Sequence, residues 1–268
     1  MKNLKAAGVS CVALLLSANA NAALIPVAGG LGVYDDVNNV TWTADGNLFA
    51  TQAASYSGGA SAYVAAVIAA SGGVIHNLPS GFDAIGAHTL STLDFYGNDG
   101  RMTWWGAHAW VSYLNSTNYA ASNQWALPAT IDSFSLSFGV PNGGADHPAE
   151  SSSQMAQLFF GGLGGVSGLP ISTNHTINTS YFSNLQSNWY YWSGTEFSES
   201  PLFAWSFGTE GFQTPSYKNN RFYGFAVSPG QISAVPEPSV VWLLGTGLLG
   251  VIGLRRRRPT ALGLQSRA

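Results

Sequence analysis

Two stretches of the chain are predominantly apolar and uncharged, and they lie at its two ends: Ala6 to Leu16, and Ser239 to Leu254. Between them apolar and polar residues alternate with two different periods. Val33-Tyr34 and Val40-Thr41-Trp42 flank the turn formers Asp35, Asp36, Asn38 and Asn39, which predicts a strand, a turn and a strand. Gln52 to Ser71 is Ala-rich, and Tyr63, Val64, Val67 and Ile68 recur at helical spacing, with Gly72-Gly73 as its stop. Trp104, Ala107, Trp110, Val111 and Leu114 lie on one face of a second helix, with Thr103 as its N-cap. Glu150 to Phe160 also reads as an amphipathic helix, through Met155, Leu158 and Phe159.

Strand patterns occupy the rest. Asn123 to Thr130 reads as a short strand turning at Pro128, and Ile131 to Val140 alternates as a strand would. Trp189 to Glu196, Leu202 to Phe207 and Phe222 to Val227 form a strand-rich end. Val74 to Asn98, broken by Pro79, Gly81, Gly86 and Gly97, reads as a long surface excursion. The expected fold class is therefore α+β: one domain of antiparallel strands with two main helices.

The apolar ends are of another kind. Lys2 and Lys5, the apolar run and Ala20-Asn21-Ala22 make a secretory signal peptide over residues 1–22, with cleavage between Ala22 and Ala23. Cys11, the sole cysteine, falls inside it, so the mature chain has no thiol and no disulfide. At the other end Pro236-Glu237-Pro238 precedes the 16 uncharged residues 239–254, and Arg255, Arg256, Arg257 and Arg258 follow. An apolar run stopped by arginines reads as a transmembrane helix with its basic end in the cytoplasm. At ~1.5 Å per residue it reaches about 24 Å, short of a hydrocarbon core of about 30 Å, which suits a temporary anchor.

These three parts in this order resemble the PEP-CTERM sorting signal of Gram-negative bacteria. The resemblance implies an exosortase as partner, cutting near Pro236-Glu237-Pro238. It also implies a transient stay at the inner membrane, then release of the domain to the cell surface or the extracellular matrix. Residues 233–268 are the sorting tail on this reading, and residues 23–232 are the cargo.

Charge is segregated in the same way. From Ala23 to Gly230 the basic residues are Arg101, Lys218 and Arg221, against twelve acids, leaving a net charge of −9. That balance argues against nucleic acid and sulfated glycans as partners and leaves a neutral polysaccharide as the expected one. Eight of the nine tryptophans lie in the cargo, where large rings more often fill a core than face a sugar. Asp35, Asp36, Asn38 and Asn39 could supply oxygens to calcium, but they lack the Gly and distal Glu of an EF-hand. The five histidines show no zinc spacing, no Gly-x-Ser-x-Gly elbow occurs, and Asp146-His147 is an isolated loop pair. No catalytic residue and no metal ligand is assigned.

Residues 31–232 resemble the DUF1566 family, also called the Lcl C-terminal domain. The resemblance is carried by Tyr34-Asp35 with Thr41-Trp42, and by Gly100-Arg101-Met102-Thr103-Trp104 with Ala107 and Trp110. Trp125-x-Leu127-Pro128, Tyr191-Trp192-Ser193-x-Thr195-Glu196 and Val227-x-Pro229-Gly230 complete it. It implies a C-type-lectin-like relation. The sequence departs from the family where Ala126 and Ser228 replace two usual arginines, which removes charge that a sulfated glycan would use. Trp42, Trp104, Trp125, Leu127, Pro128, Trp192, Ser193, Thr195 and Glu196 look more like residues that keep the fold than like ligands. The functional expectation is an exported noncatalytic surface or matrix protein, associated with exopolysaccharide or biofilm. The alternative is an exported polysaccharide-modifying enzyme, which would need two carboxylates facing one groove.

Overall fold

The protein is seen in a computed structural model, which describes residues 23–76, 86–96, 98–132, 153–173, 176–187 and 189–233. In chain order the strands are β1 (Leu24–Val27), β2 (Gly32–Asp35), β3 (Val40–Thr43), β4 (Val74–His76), β5 (Ala87–Thr89) and β6 (Phe95–Tyr96). They continue as β7 (Arg101–Met102), β8 (Tyr190–Glu196), β9 (Phe203–Gly208), β10 (Phe212–Tyr217), β11 (Phe222–Tyr223) and β12 (Val227–Pro229). The α-helices are α1 (Leu48–Ser55), α2 (Gly59–Ala70), α3 (Trp104–Ser116) and α4 (Gln154–Gln157).

Three sheets result among the described residues, in the orders β1-β2-β3-β12, β10-β9-β8-β11-β7-β6 and β4-β5. The first grows from the predicted hairpin. Asp35 holds its turn: Oδ1 accepts the backbone N–H groups of Val37 and Asn38, both at 3.1 Å, and Oδ2 accepts the Asn38 amide at 2.7 Å and the Trp42 indole N–H at 3.2 Å. Both carboxylate oxygens therefore face protein donors.

The α+β class holds, and two details of the expected architecture are corrected. Four α-helices are present among the described residues, where two main ones were expected. The Ala-rich segment is split into α1 and α2 because Gly58 and Gly59 adopt φ of +94° and +76°, a left-handed conformation in which a helix cannot continue. The second correction concerns the sheets, which are not purely antiparallel. The chain leaves β10 at one edge and re-enters on the far side of β8, so β11 pairs with β8 in parallel. None of the three sheets is closed or curled in the manner of a lectin fold, so the C-type-lectin-like expectation is overturned.

Smaller differences have local causes. The described residues between Val74 and Asn98 are less irregular than the expected surface excursion. β4 and β5 pair, and Ser91 and Asp94 form a capping box that leads into β6. Asn123 to Thr130 contributes one bridge, Ala126 to Val227, rather than a strand. β10 went unrecognised because Gln213-Thr214-Pro215-Ser216 is polar and contains proline. As the edge strand it accommodates Pro215 opposite Trp205. The expected strand over 131–140 and the start of the helix at Glu150 fall largely outside the described residues. From Ser153 onward that helix is one α-turn followed by a π-turn at Leu158–Gly162.

The expectation of a transmembrane helix is also corrected. No helix among the described residues is long and apolar enough to cross a membrane, and residues 239–254, on which it was placed, lie outside them. Residues 1–22 with Cys11, His147, His175 and residues 234–268 lie outside them as well.

β8 separates two cores. Successive side chains of a strand point to opposite faces, so Tyr191 joins Val33, Trp42, Leu158, Phe207 and Phe225 on one side. Trp192 joins Phe49, Tyr63, Trp104, Trp110 and Trp125 on the other. Seven of the eight tryptophans between residues 23 and 232 are buried, and the exception is Trp189, which is 41 % exposed.

Candidate functional site

The residues singled out by sequence converge at the start of α3 and the end of β8, with Trp42 apart in the other core. Thr103 caps α3 as expected, its Oγ1 accepting the Gly106 N–H at 3.1 Å. Gly106 lets the helix lie against the chain at Asp94, because a Cβ there would meet the Asp94 carbonyl oxygen at 2.7 Å. Trp104 then projects toward β8, and its indole N–H donates to the Ser193 carbonyl at 2.9 Å. Trp192 returns the contact, donating its indole N–H to the Met102 carbonyl, also at 2.9 Å. Two strands and a helix are thereby pinned by a reciprocal pair of indoles.

The ladder between β8 and β9 shifts register between Trp192 and Glu196. The shift turns the Ser193-Gly194-Thr195 backbone toward the Leu127-Pro128 segment. Ser193 Oγ donates to the Pro128 carbonyl at 2.8 Å, and the Gly194 N–H donates to the same oxygen at 2.9 Å. Thr195 Oγ1 donates to the Thr130 carbonyl at 3.0 Å. Trp125 is held separately. Its backbone N–H donates to Asn115 Oδ1 at 2.6 Å and its indole N–H to the Tyr119 carbonyl at 3.0 Å. Of Ala126 and Ser228, where the DUF1566 pattern has arginines, Ala126 forms the bridge with Val227 and Ser228 follows it. Ser228 is buried with its hydroxyl 2.7 Å from that of Ser122.

Two functional groups here were not singled out from the sequence. Lys218 lies in the segment that crosses from β10 to β11, and its side chain is wholly buried. Its ammonium sits 2.9 Å from Glu196 Oε2 and 4.5 Å from the centre of the Trp104 ring. Burial pushes its pKa down, and Glu196 opposes that only in part. Its carbonyl accepts the first N–H of α3 at 2.9 Å. His108 lies edge-on to the Trp104 ring with centroids 4.2 Å apart. Its Nε2 is sealed from solvent and has no hydrogen-bond partner among the described residues. Burial, helped by the Lys218 charge, pushes its pKa down to about 4, so the imidazole is neutral at ordinary pH. The available signal for Lys218 was its rarity, as one of three basic residues in the cargo. His108 carried none.

A groove of about 580 Å³ opens beside this cluster, and His108, Asn115, Trp125 and Thr195 help to line it. Asn115 is committed through both amide atoms to Trp125, and Lys218 has no surface open to the groove. Asp94 accepts Thr103 Oγ1 at 2.8 Å and the Ser91 N–H at 2.8 Å, with His88 Nε2 at 3.0 Å. Burial alone would raise its pKa, but these three partners outweigh it and hold the carboxyl below its ordinary value. No group of three or more metal-ligating side chains occurs among the described residues. Chemically the motif residues form satisfied clasps beside a sealed ion pair, while the buried His108 Nε2 has no hydrogen-bond partner among the described residues.

Residues 234–258 match the PEP-CTERM protein-sorting motif. The match covers Pro236, Glu237, Pro238 and Arg255 to Arg258, the residues assigned to sorting from the sequence. The chain thus carries an exosortase-recognition motif, which implies an exosortase as partner and is consistent with sorting to the outside of the cell. No curated protein and no solved structure matches the chain, and nothing in the comparisons supports a DUF1566 assignment for residues 31–232.

Proposed function

We propose that the protein is an exported, noncatalytic surface or matrix protein that an exosortase releases from its tail and that associates with extracellular polysaccharide. The observation that carries this reading is the sorting motif at residues 234–258. On this reading residues 1–22 are removed first, residues 23–232 are a DUF1566-like cargo, and residues 233–268 are removed after a transient stay at the inner membrane. The beginning of the fold supports the first cut. β1 begins at Leu24, and the Ala23 N–H already donates to Asp36 Oδ1 at 2.8 Å. A cut after Ala22 would leave the strand whole and place the new ammonium against a carboxylate.

The noncatalytic reading is supported by the occupation of the polar groups. The motif residues direct their indole and hydroxyl groups at backbone carbonyls. The Lys218–Glu196 ion pair has its cation sealed from any substrate. The test is the intact mass of the protein recovered outside the cell. A mass starting at Ala23 and ending near Pro238, without Arg255 to Arg258, is expected. Secreted material that still carries the arginines would overturn the reading.

A further inference from the structure

The aromatic and arginine side chains at the rim of the six-stranded sheet form a second constellation, far less satisfied than the first. Tyr96 on β6, Arg101 on β7, Trp189 just before β8, and Asn219, Asn220 and Arg221 between β10 and β11 line a cavity of about 410 Å³. That volume is within the ~300–1,000 Å³ usual for small-ligand sites. Tyr96 and Trp189 are 47 % and 41 % exposed, an unusual fate for large rings in a chain that buries its other cargo tryptophans. The Arg101 guanidinium carbon lies 4.9 Å from the centre of the Trp189 ring, and that of Arg221 lies 4.6 Å from the centre of Tyr96. Each ring thus holds a cation beside it.

We propose that this rim is a binding site for a hexuronate unit of an acidic polysaccharide, with the sugar ring on Trp189 or Tyr96 and its carboxylate on Arg221. A pyranose offers a flat face of C–H groups to an aromatic ring, and a carboxylate matches the fork of a guanidinium. Arg101 donates Nε and Nη2 to Asp99 at 2.9 Å and 2.6 Å, which neutralises it locally. Arg221 has no carboxylate partner among the described residues and uses only Nε and Nη2, both on the Leu93 carbonyl. The Asn219 and Asn220 side chains are exposed and make no hydrogen bond among the described residues, leaving amides for ring hydroxyls.

Net charge had favoured a neutral polymer, but a net charge is an average over the surface. Of the three cargo bases Lys218 is buried, so the cations that reach solvent both stand at this rim. The assignment rests on the polysaccharide part of the function proposed above, and names its site and sugar class.

The test uses the protein recovered outside the cell, titrated with a short oligogalacturonate and with a neutral cello-oligosaccharide, followed by tryptophan fluorescence. Saturable binding of the oligogalacturonate is expected, at least about tenfold tighter than the neutral sugar. Trp189→Ala should abolish the fluorescence change. Arg221→Gln should weaken the acidic sugar about tenfold and leave the neutral one unchanged. Asn219→Ala, on the exposed turn, gives a variant that does not disturb the ring contacts and should weaken both sugars. Equal affinity for the two sugars, no binding of the acidic one, or wild-type affinity in all three variants would overturn the site. Co-sedimentation with the producing cell's own exopolysaccharide separates this from failure of the broader reading. If wild type and variants sediment alike, the site is wrong and the polysaccharide association stands. If the wild type stays in solution, the association itself is wrong.

Discussion

Trp104, at the start of α3, packs against the end of β8, Trp189 stands just before the start of β8, and their surroundings differ in nearly every respect. Trp104 is 3 % exposed, its indole N–H meets a carbonyl at 2.9 Å, and the cation over its ring is held by a carboxylate. Trp189 is 41 % exposed, and its indole N–H reaches the Arg221 carbonyl at a long 3.4 Å. The cations around it retain unused donors. A tryptophan beside a base is thus a structural clasp in one place and an open surface in the other. What separates them is whether neighbouring chain has already met every hydrogen-bonding group. A buried group left unpaired costs stability, whereas an exposed one costs little and remains available.

That contrast can be broken or sharpened by substitution. The largest effect belongs to the buried pair of indoles. Trp192→Ala removes a wholly buried ring and leaves the Met102 carbonyl without its donor. A loss of about 3–5 kcal/mol is expected in denaturant unfolding. If the loss were below about 1 kcal/mol, the clasp would not be holding the core.

Next comes the ion pair. Glu196→Ala leaves the Lys218 ammonium buried without its carboxylate, at a cost of about 3 kcal/mol. Lys218→Met combined with Glu196→Leu should recover most of that loss, because it removes both charges together. A double variant as unstable as the single one would mean that the pair acts through shape rather than charge.

Acid gives a smaller effect of determined sign. The folded state keeps His108 neutral, with its pKa down at about 4 against an ordinary 6.5. Below about pH 6.5 the unfolded chain takes up a proton that the folded chain refuses, so stability falls as pH drops toward 4. The total is at most about 3 kcal/mol. Asp94, whose folded pKa is lowered, adds a further loss as pH falls through the carboxylate range. Thermal melts of wild type and His108→Leu between pH 7 and pH 4 should diverge, with the variant showing the flatter slope. Parallel curves would show that His108 protonates without strain.

The smallest effect is expected at the open end of the comparison. Trp189→Ala should change stability by no more than about 0.5 kcal/mol in the same unfolding assay, while removing sugar binding. A loss comparable to that of Trp192→Ala would make Trp189 another clasp and remove the contrast.

Periodicity made part of this legible. The α3 face from Trp104 to Leu114, its cap at Thr103, the stop at Gly72-Gly73 and the first hairpin follow from side-chain spacing and turn chemistry, and these are local properties. The sequence reads α1 and α2 as one helix because alanine is helical on either side of Tyr56 to Gly58, where the extended Tyr56 and the left-handed glycines interrupt it. β10 was missed because a polar strand with a proline has no local signature, and its pairing with β9 supplies what the sequence does not announce. The site residues divide in the same way. The motif tryptophans were recognisable as a set, but their reciprocal contacts were not. Lys218 and His108 acquired their character wholly from packing.

The sequence by itself determined the sorting motif at residues 234–258, because such a signal is read by another protein as a linear string of charge and apolar length. It also determined the balance of acids and bases, and the abundance of aromatic rings. Only the tertiary structure decided which ring is clasp and which is surface, which lysine is sealed, and that the two remaining arginines meet at one rim. Burial and electrostatic contact depend on distances through space, and residues as far apart in the chain as Tyr96 and Arg221 become neighbours only when β11 enters the sheet between β8 and β7.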